Sequence, residues 1–134
     1  YQRVESSLLL AFDGVPRVQV PTTVESRIFQ LRIYESHNLT KHVKKVEMFN
    51  TGGELEIFHR CKMNPVFFGQ ALIGTKLPNL TYMLGFDNSE AQKQAWAAFM
   101  KDPQWLELKD KPEYAQTVSN ITNILLQPSS VSQI

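Results

Sequence analysis

The residues best suited to chemistry are an arginine and a tyrosine two positions apart, Arg32 and Tyr34. Phe29, Leu31 and Ile33 alternate with polar residues through the same segment. Side chains of a strand alternate between the two faces of its sheet, so Arg32 and Tyr34 should project in parallel from one face. A guanidinium beside a phenol could bind a carboxylate or phenolic ligand, or it could pair within a dimer interface, where both residue types are common. The sequence leaves both alternatives open.

Sequence motifs for metal, nucleophilic or phosphate chemistry are not assembled in this chain. His37, His42 and His59 are the only histidines and form no HExxH pattern, and Cys61 is the only cysteine. We therefore expect no metal site and no disulfide within the chain. No serine elbow and no phosphate-binding glycine loop with its lysine is present, so no catalytic residue can be named and no cofactor is predicted.

Three aromatic residues, Trp96, Phe99 and Trp105, could form either part of the core or an aromatic cage around a ligand. Their spacing is that of the buried stripe of a helix. An aromatic row with this rhythm is more often core, and we interpret it so.

Composition favours a single globular domain. The 134 residues carry 14 basic and 13 acidic side chains, a net charge of +1, and 43% of them are hydrophobic. Without a basic patch no nucleic acid partner is expected. No apolar run approaches the roughly 20 residues of a transmembrane helix, so we expect a soluble domain. The compartment stays open, because we expect the N-terminal targeting region to lie outside this chain.

The order of predicted elements indicates an α+β fold. From residue 27 onward the pattern reads strand, helix, strand, strand, helix, strand, the βαββαβ order of ferredoxin-like domains. We therefore predict a four-stranded antiparallel sheet with helices on one face. The predicted strands span residues 27–35, 66–73, 80–86 and 117–126, and the helices span 39–50, 54–62 and 91–100.

The face of the sheet opposite the helices is predicted to carry Arg32, Tyr34 and Tyr82, with Leu80 and Leu84 nearby. These residues are candidates for ligand binding or for an interface. A mixed face of this size needs cover, and a second copy could supply it as a homodimer. A repeat that precedes this domain in the native chain could supply the same cover.

Residues 1–26 are interpreted as an N-terminal strand and linker, 27–128 as the main domain and 129–134 as a tail. The order of Tyr1, Ser6, an apolar run and Pro16 resembles that of Tyr114, Ser119, an apolar run and Pro128. The first strand is therefore either the closing strand of an earlier copy of the domain or an unrelated edge strand.

Several motifs together resemble the NIPSNAP family. They are Gln30-Leu31-Arg32-Ile33-Tyr34, Phe49-Asn50-Thr51-Gly52-Gly53-Glu54-Leu55, Pro65-Val66-Phe67-Phe68-Gly69, and the most specific block, from Ala95 to Trp105. The resemblance implies a dimeric α+β barrel and, because bacterial members often carry two copies, the C-terminal repeat of such a protein.

The resemblance does not imply a reaction, because this fold hosts unrelated functions. We expect a domain of unknown biochemical role, either non-catalytic or binding a small apolar or aromatic ligand, that dimerises. The alternative is a cofactor-independent small-molecule monooxygenase of the same superfamily. A cavity of at least roughly 300 Å³ between helices and sheet, with two or three convergent polar groups, would favour the enzyme.

Overall fold

The computed structural model describes residues 2–134. From the second strand onward the elements follow the predicted ferredoxin-like order, with each helical stretch divided in two. In chain order they are β1 (Leu8–Ala11), β2 (Ile28–Glu35), α1 (Leu39–Asn50), α2 (Glu54–Arg60), β3 (Asn64–Ile73), β4 (Asn79–Phe86), α3 (Ser89–Lys101), α4 (Pro103–Lys109), a 3-10 turn (Pro112–Tyr114) and β5 (Asn120–Leu126).

Side-chain caps explain where three of the helices begin. The side chains of Asn38, Asn88 and Asp102 each accept a hydrogen bond from a backbone N–H in the first turn of α1, α3 and α4. Such caps satisfy donors that a helix leaves free at its start. In α3 the cap is Asn88 and not Asp87, although Asp87 precedes Glu90 by the three positions of a capping box.

The sheet has five antiparallel strands in the order β1-β3-β4-β2-β5, not the predicted four. The additional strand is β1, which pairs with the edge of β3 through Leu9 and Ala71. Without β1, the order is that of a ferredoxin-like domain. The apolar run in β1 predicts a buried strand, yet Leu8 and Leu10 are exposed on an edge.

All four helices cover one face of the sheet, and the predicted assignment of the two faces is wrong. Gln30 of β2 accepts a hydrogen bond from the Trp96 indole of α3, at 2.6 Å from Oε1 to Nε1. The residues that alternate with Gln30, among them Arg32 and Tyr34, therefore also face the helices. Tyr82 packs in the core on the same side.

Packing gives the reason for this correction. Tyr34 of β2 and Tyr82 of β4 pack against aromatic rings on the helix-facing side of the sheet. These rings are Phe49 of α1, Phe58 of α2 and Phe68 of β3. The more apolar side of β2, with Leu31 and Ile33, is left on the other face, where both side chains are half-buried. Polarity alone therefore predicts the wrong orientation of β2, because its polar side chains face the helices and find partners there.

The space between the helices and strands β3 and β4 is filled by aromatic rings. We call this region the packed half. The Phe68 and Tyr82 rings are stacked with centroids 4.5 Å apart and planes 3° from parallel. Phe49 lies edge-on to Phe58 and Phe68. Phe12, which follows β1, completes the group.

Candidate functional site

Above β2 and β5 the space beneath the helices is open. A cavity of about 620 Å³ lies there, between α1, α3, α4 and the sheet. We call it the pocket. Its lining consists of Gln30, Arg32, Tyr34, Lys45, Glu54, Gln92, Lys93, Trp96, Phe99, Met100, Trp105, Val118 and Ile121.

Arg32 is the most unusual residue of the pocket. Its Cζ lies 4.5 Å from the centroid of the Trp96 ring and 5.1 Å from that of Tyr34. Within residues 2–134 Arg32 forms no salt bridge, and although the residue as a whole is half-buried, its Nε is fully buried without a hydrogen-bond partner. Buried polar groups are nearly always paired, so this orphaned donor points to a partner from outside the chain.

Tyr34 contributes a hydroxyl group that stays protonated. Its oxygen accepts a hydrogen bond from the Tyr82 hydroxyl at 2.8 Å. Burial raises the pKa of Tyr34 to about 12, although the nearby Arg32 cation acts in the opposite direction. At neutral pH Tyr34 is therefore a hydrogen-bond donor and not a base.

A buried ion pair forms the floor of the pocket. Lys45 Nζ of α1 lies 2.7 Å from Glu54 Oε2 of α2, and the two side chains are only 5% and 2% exposed. Burial raises the pKa of Glu54, and the Lys45 ammonium opposes that shift. Each charge compensates the other, so the pair adds no net charge to the pocket.

This ion pair was not predicted from the sequence. Lys45 lies on the same side of α1 as His42 and Phe49, at helical spacing. A lysine on this side of the helix was the signal in the sequence that could have indicated a buried charge. The i, i+4 spacing of Leu39 and Val43 instead predicts that these two apolar side chains face inward, yet both are exposed. Glu54 gave no signal, because nothing in the sequence showed that α2 would turn back onto α1.

Tryptophans form the opposite wall of the pocket. Trp96 is held by Gln30, and Trp105 packs on Phe99 with ring centroids 4.4 Å apart. The Trp105 indole Nε1 is buried and has no partner within the described chain. Phe99 is core, as predicted, while Trp96 and Trp105 are half-buried and also line the pocket.

The structure separates the three candidate residues. Arg32 and Tyr34 line the pocket, whereas Tyr82 lies behind Tyr34 in the packed half and is fully buried. Across residues 2–134, no three His, Cys, Asp or Glu side chains come together as a metal site would require. No helix in the same range has the length and hydrophobicity needed to cross a membrane.

Comparison with known proteins gives a consistent result. A family model described as NIPSNAP matches residues 29–133. No curated protein gives a significant match. Among solved structures, an uncharacterised NIPSNAP-like domain protein from Burkholderia xenovorans has a TM-score of 0.72 at 21% identity, over 82% of this chain and 91% of that one.

Two further structures extend the comparison. A NIPSNAP family protein of unknown function from Agrobacterium tumefaciens has a TM-score of 0.72 at 18% identity, over 81% of this chain and 94% of that one. SnoaB, a cofactor-independent oxygenase from Streptomyces nogalater, has a TM-score of 0.53 at 11% identity, over 81% and 99%. At these identities the likeness is one of fold.

Proposed function

The chain belongs to the NIPSNAP family, and on that premise we propose that it is a non-catalytic domain that binds a small ligand in the pocket and pairs with a second copy through the other face of the sheet. Its NIPSNAP structural relatives are described as uncharacterised or of unknown function, so they supply no reaction. The function has to be argued from the pocket.

The observation that carries the ligand-binding proposal is an open cavity lined by Arg32, a half-buried cation that has no salt-bridge partner among residues 2–134 and whose Nε is buried and unpaired. The volume of about 620 Å³ lies within the usual range of roughly 300–1,000 Å³ for small-molecule sites. Apolar walls with few polar groups are typical of such sites. A core that only needed to be stable would have been filled at this point.

Filling the pocket tests the proposal. Ile121 of β5 lines the pocket and is 44% exposed, so Ile121→Trp should occupy the cavity without disturbing the packed half. Titration calorimetry with 2-naphthol and 2-naphthoate should show binding to the wild type and none to this variant. Leu72→Trp, on an exposed part of β3, is the matched control and should bind normally. Failure of both probes to bind the wild type would contradict the proposal.

The dimerisation proposal rests on the face of the sheet that the helices leave open, which we call the outer face. It carries Leu31, Ile33, Met83 and Ile124, all half-buried or exposed. The linker before β2 covers one end of this face, because a side chain added at Gly85 would meet Pro21 at 2.6 Å. The remaining apolar area fits a second copy about a two-fold axis, with a specific interface expected to bury more than roughly 1,000 Å².

A charge placed on the outer face tests the dimer. Light scattering at micromolar concentration should give a dimer for the wild type and a monomer for Leu31→Asp, because the interface would bury an unpaired carboxylate. Leu39→Asp, at a site on α1 that is 67% exposed, should remain dimeric. A monomeric wild type, or a dimeric Leu31→Asp, would exclude pairing through this face.

The repeat proposal rests on β1 and on the sequence echo between the two ends of the chain. β1 lies at the β3 edge of the sheet, opposite β5, which closes the domain. A closing strand from a preceding domain would have to reach such an edge to join the two sheets. Tyr1, the first residue of the echo, lies outside the described residues. An upstream coding sequence with another βαββαβ pattern would support the repeat, and any other upstream sequence would contradict it.

A monooxygenase without a cofactor is the second candidate, favoured by one observation. The cavity of about 620 Å³ is larger than the minimum of roughly 300 Å³ expected for the enzyme, and three polar side chains line it, those of Arg32, Tyr34 and Lys45. Its only described carboxylate, Glu54, is already paired, and Tyr34 holds its proton, so the described lining offers no free base. In such a reaction one oxygen atom of O2 enters the ligand, the other leaves as water, and the ligand supplies the electrons. Oxygen uptake with a phenolic ligand would support the enzyme, and its absence across ligands that bind would leave the binding function.

A further inference from the structure

We infer that the ligand of the pocket is a small aromatic monocarboxylate whose carboxylate binds the guanidinium of Arg32. This inference rests on the binding function proposed above and names the class of ligand. It chooses between the carboxylate and the phenol that the sequence leaves open for this pair of residues.

The balance of charges supports a single negative charge on the ligand. The pocket contains four ionisable groups of full charge: Arg32, Lys45, Lys93 and Glu54. Lys45 and Glu54 compensate each other at 2.7 Å, and Lys93 is exposed to water on α3. Arg32 is the remaining cation, so one anionic group balances the pocket. A neutral phenol would leave it unbalanced.

The orientation of Arg32 supports a carboxylate. The rings of Trp96 and Tyr34 lie against the guanidinium at 4.5 and 5.1 Å. Cation–π contacts of this kind use the faces of the rings and supply no lone-pair acceptor for the guanidinium, so its N–H donors remain available to a ligand. Two parallel N–H donors match the two oxygens of a carboxylate. Tyr34 lines the same pocket, and its hydroxyl remains protonated at neutral pH.

The walls of the pocket support an aromatic body. Trp105 and Phe99 present rings on one side, and Met100, Val118 and Ile121 supply apolar surface around the cavity. Aromatic pairs in offset or edge contact gain stability beyond that from burial of area. A flat ring that carries one carboxylate therefore satisfies both the cation and the walls.

Titration calorimetry at pH 7 with 2-naphthoate and 2-naphthol tests this inference, since the two probes share a ring system and differ in charge. The wild type should bind 2-naphthoate at least tenfold more tightly than 2-naphthol. Arg32→Gln should weaken 2-naphthoate at least tenfold, leave 2-naphthol nearly unchanged and so remove the preference. Arg32→Lys should keep a smaller preference, because it retains the charge without the fork. Arg17→Gln, at an exposed arginine outside the pocket, should behave as the wild type.

The preference within each variant is a ratio of two affinities, so a partial loss of folded protein does not alter it. Equal affinities of the wild type for the two probes, or a preference that survives in Arg32→Gln, would overturn the carboxylate inference and leave the binding function standing. No binding of either probe to the folded wild type would overturn both.

Discussion

The two halves of the space beneath the helices are built in opposite ways on one continuous sheet. The packed half, above β3 and β4, is filled with aromatic rings such as Phe49, Phe68 and Tyr82, each less than 2% exposed. The open half, above β2 and β5, holds the pocket, a buried ion pair and the orphaned Arg32. The packed half therefore contributes to the stability of the fold, whereas the open half contains groups that cost stability.

The contrast has an energetic meaning. Buried apolar rings contribute through removal of area from water and through dense packing. A buried ion pair contributes little or nothing net, because the cost of removing both charges from water offsets their attraction. A buried donor without a partner, such as the Nε of Arg32, is a cost. Groups kept at such a cost are candidates for binding, which is the reason to place function in the open half.

Truncation of one side chain in each half gives the largest expected difference. Phe68→Ala in the packed half should lower the free energy of unfolding by about 4 kcal/mol, the usual cost of removing a fully buried aromatic ring. Met100→Ala in the pocket wall, where Met100 is 58% exposed, should cost less than about 0.5 kcal/mol. Urea unfolding followed by circular dichroism measures both. Similar costs in the two positions would remove the distinction between the halves.

The second prediction concerns the buried ion pair. Lys45→Met should lower the free energy of unfolding by about 3 kcal/mol at neutral pH, because it leaves the Glu54 carboxylate buried without a partner. Without Lys45 the pKa of Glu54, already raised by burial, should rise further. A folded pKa above the unfolded one contributes stability at low pH that is lost as pH rises, so the deficit of this variant should shrink as pH falls.

A double variant provides the control for the ion pair. Lys45→Met with Glu54→Leu should recover most or all of the stability, because apolar residues of similar size can replace a buried pair. A single variant as stable as the wild type at neutral pH would show that water reaches Glu54 freely. In that case the floor of the pocket would not be a buried site.

The sequence predicts the order of the elements but not which face of β2 meets the helices. Alternation separates Arg32 and Tyr34 from Leu31 and Ile33, and this separation is confirmed. The choice of face depends on contacts with α3, where Gln30 binds Trp96 across 66 positions. A strand pattern contains no information about such long-range partners.

The ion pair and the place of β1 in the sheet were missed for the same physical reason, although β1 itself was predicted as a strand. Lys45 and Glu54 lie on separate helices, and they meet because the chain reverses at Gly53, whose φ of 100° is favourable for glycine. The pairing of β1 with β3 also joins segments distant in sequence. Local patterns predict helices and strands, whereas tertiary contacts decide which of their residues meet.

Alkaline titration should separate Tyr34 from an ordinary tyrosine. Burial raises its pKa to about 12 from the ordinary tyrosine value of 10.0. The folded state therefore gains stability from this group below pH 10 and loses it as pH rises towards 12, by roughly 2–3 kcal/mol in total. The difference in ultraviolet absorbance between wild type and Tyr34→Phe measures the ionisation. A midpoint near pH 10 in the folded protein would contradict the burial of this hydroxyl.

The smallest expected effect tests the boundary between the two halves, where Tyr34 and Tyr82 share one hydrogen bond of 2.8 Å. Tyr34→Phe should cost about 1–3 kcal/mol, because it leaves the Tyr82 hydroxyl in the packed half without a partner, beyond the reach of water. Tyr82→Phe should cost less, about 0.5–1.5 kcal/mol, because Tyr34, although mostly buried, borders the pocket, and a water molecule entering from the pocket can replace the lost partner. The two changes remove the same bond and the same atom type, so any difference arises from what surrounds the hydroxyl that remains. Urea unfolding of both variants at neutral pH, where each phenol is protonated, measures that difference directly. If Tyr82→Phe cost as much as Tyr34→Phe, the Tyr34 hydroxyl would be sealed from the pocket, and it could not serve as a donor to a ligand beside Arg32.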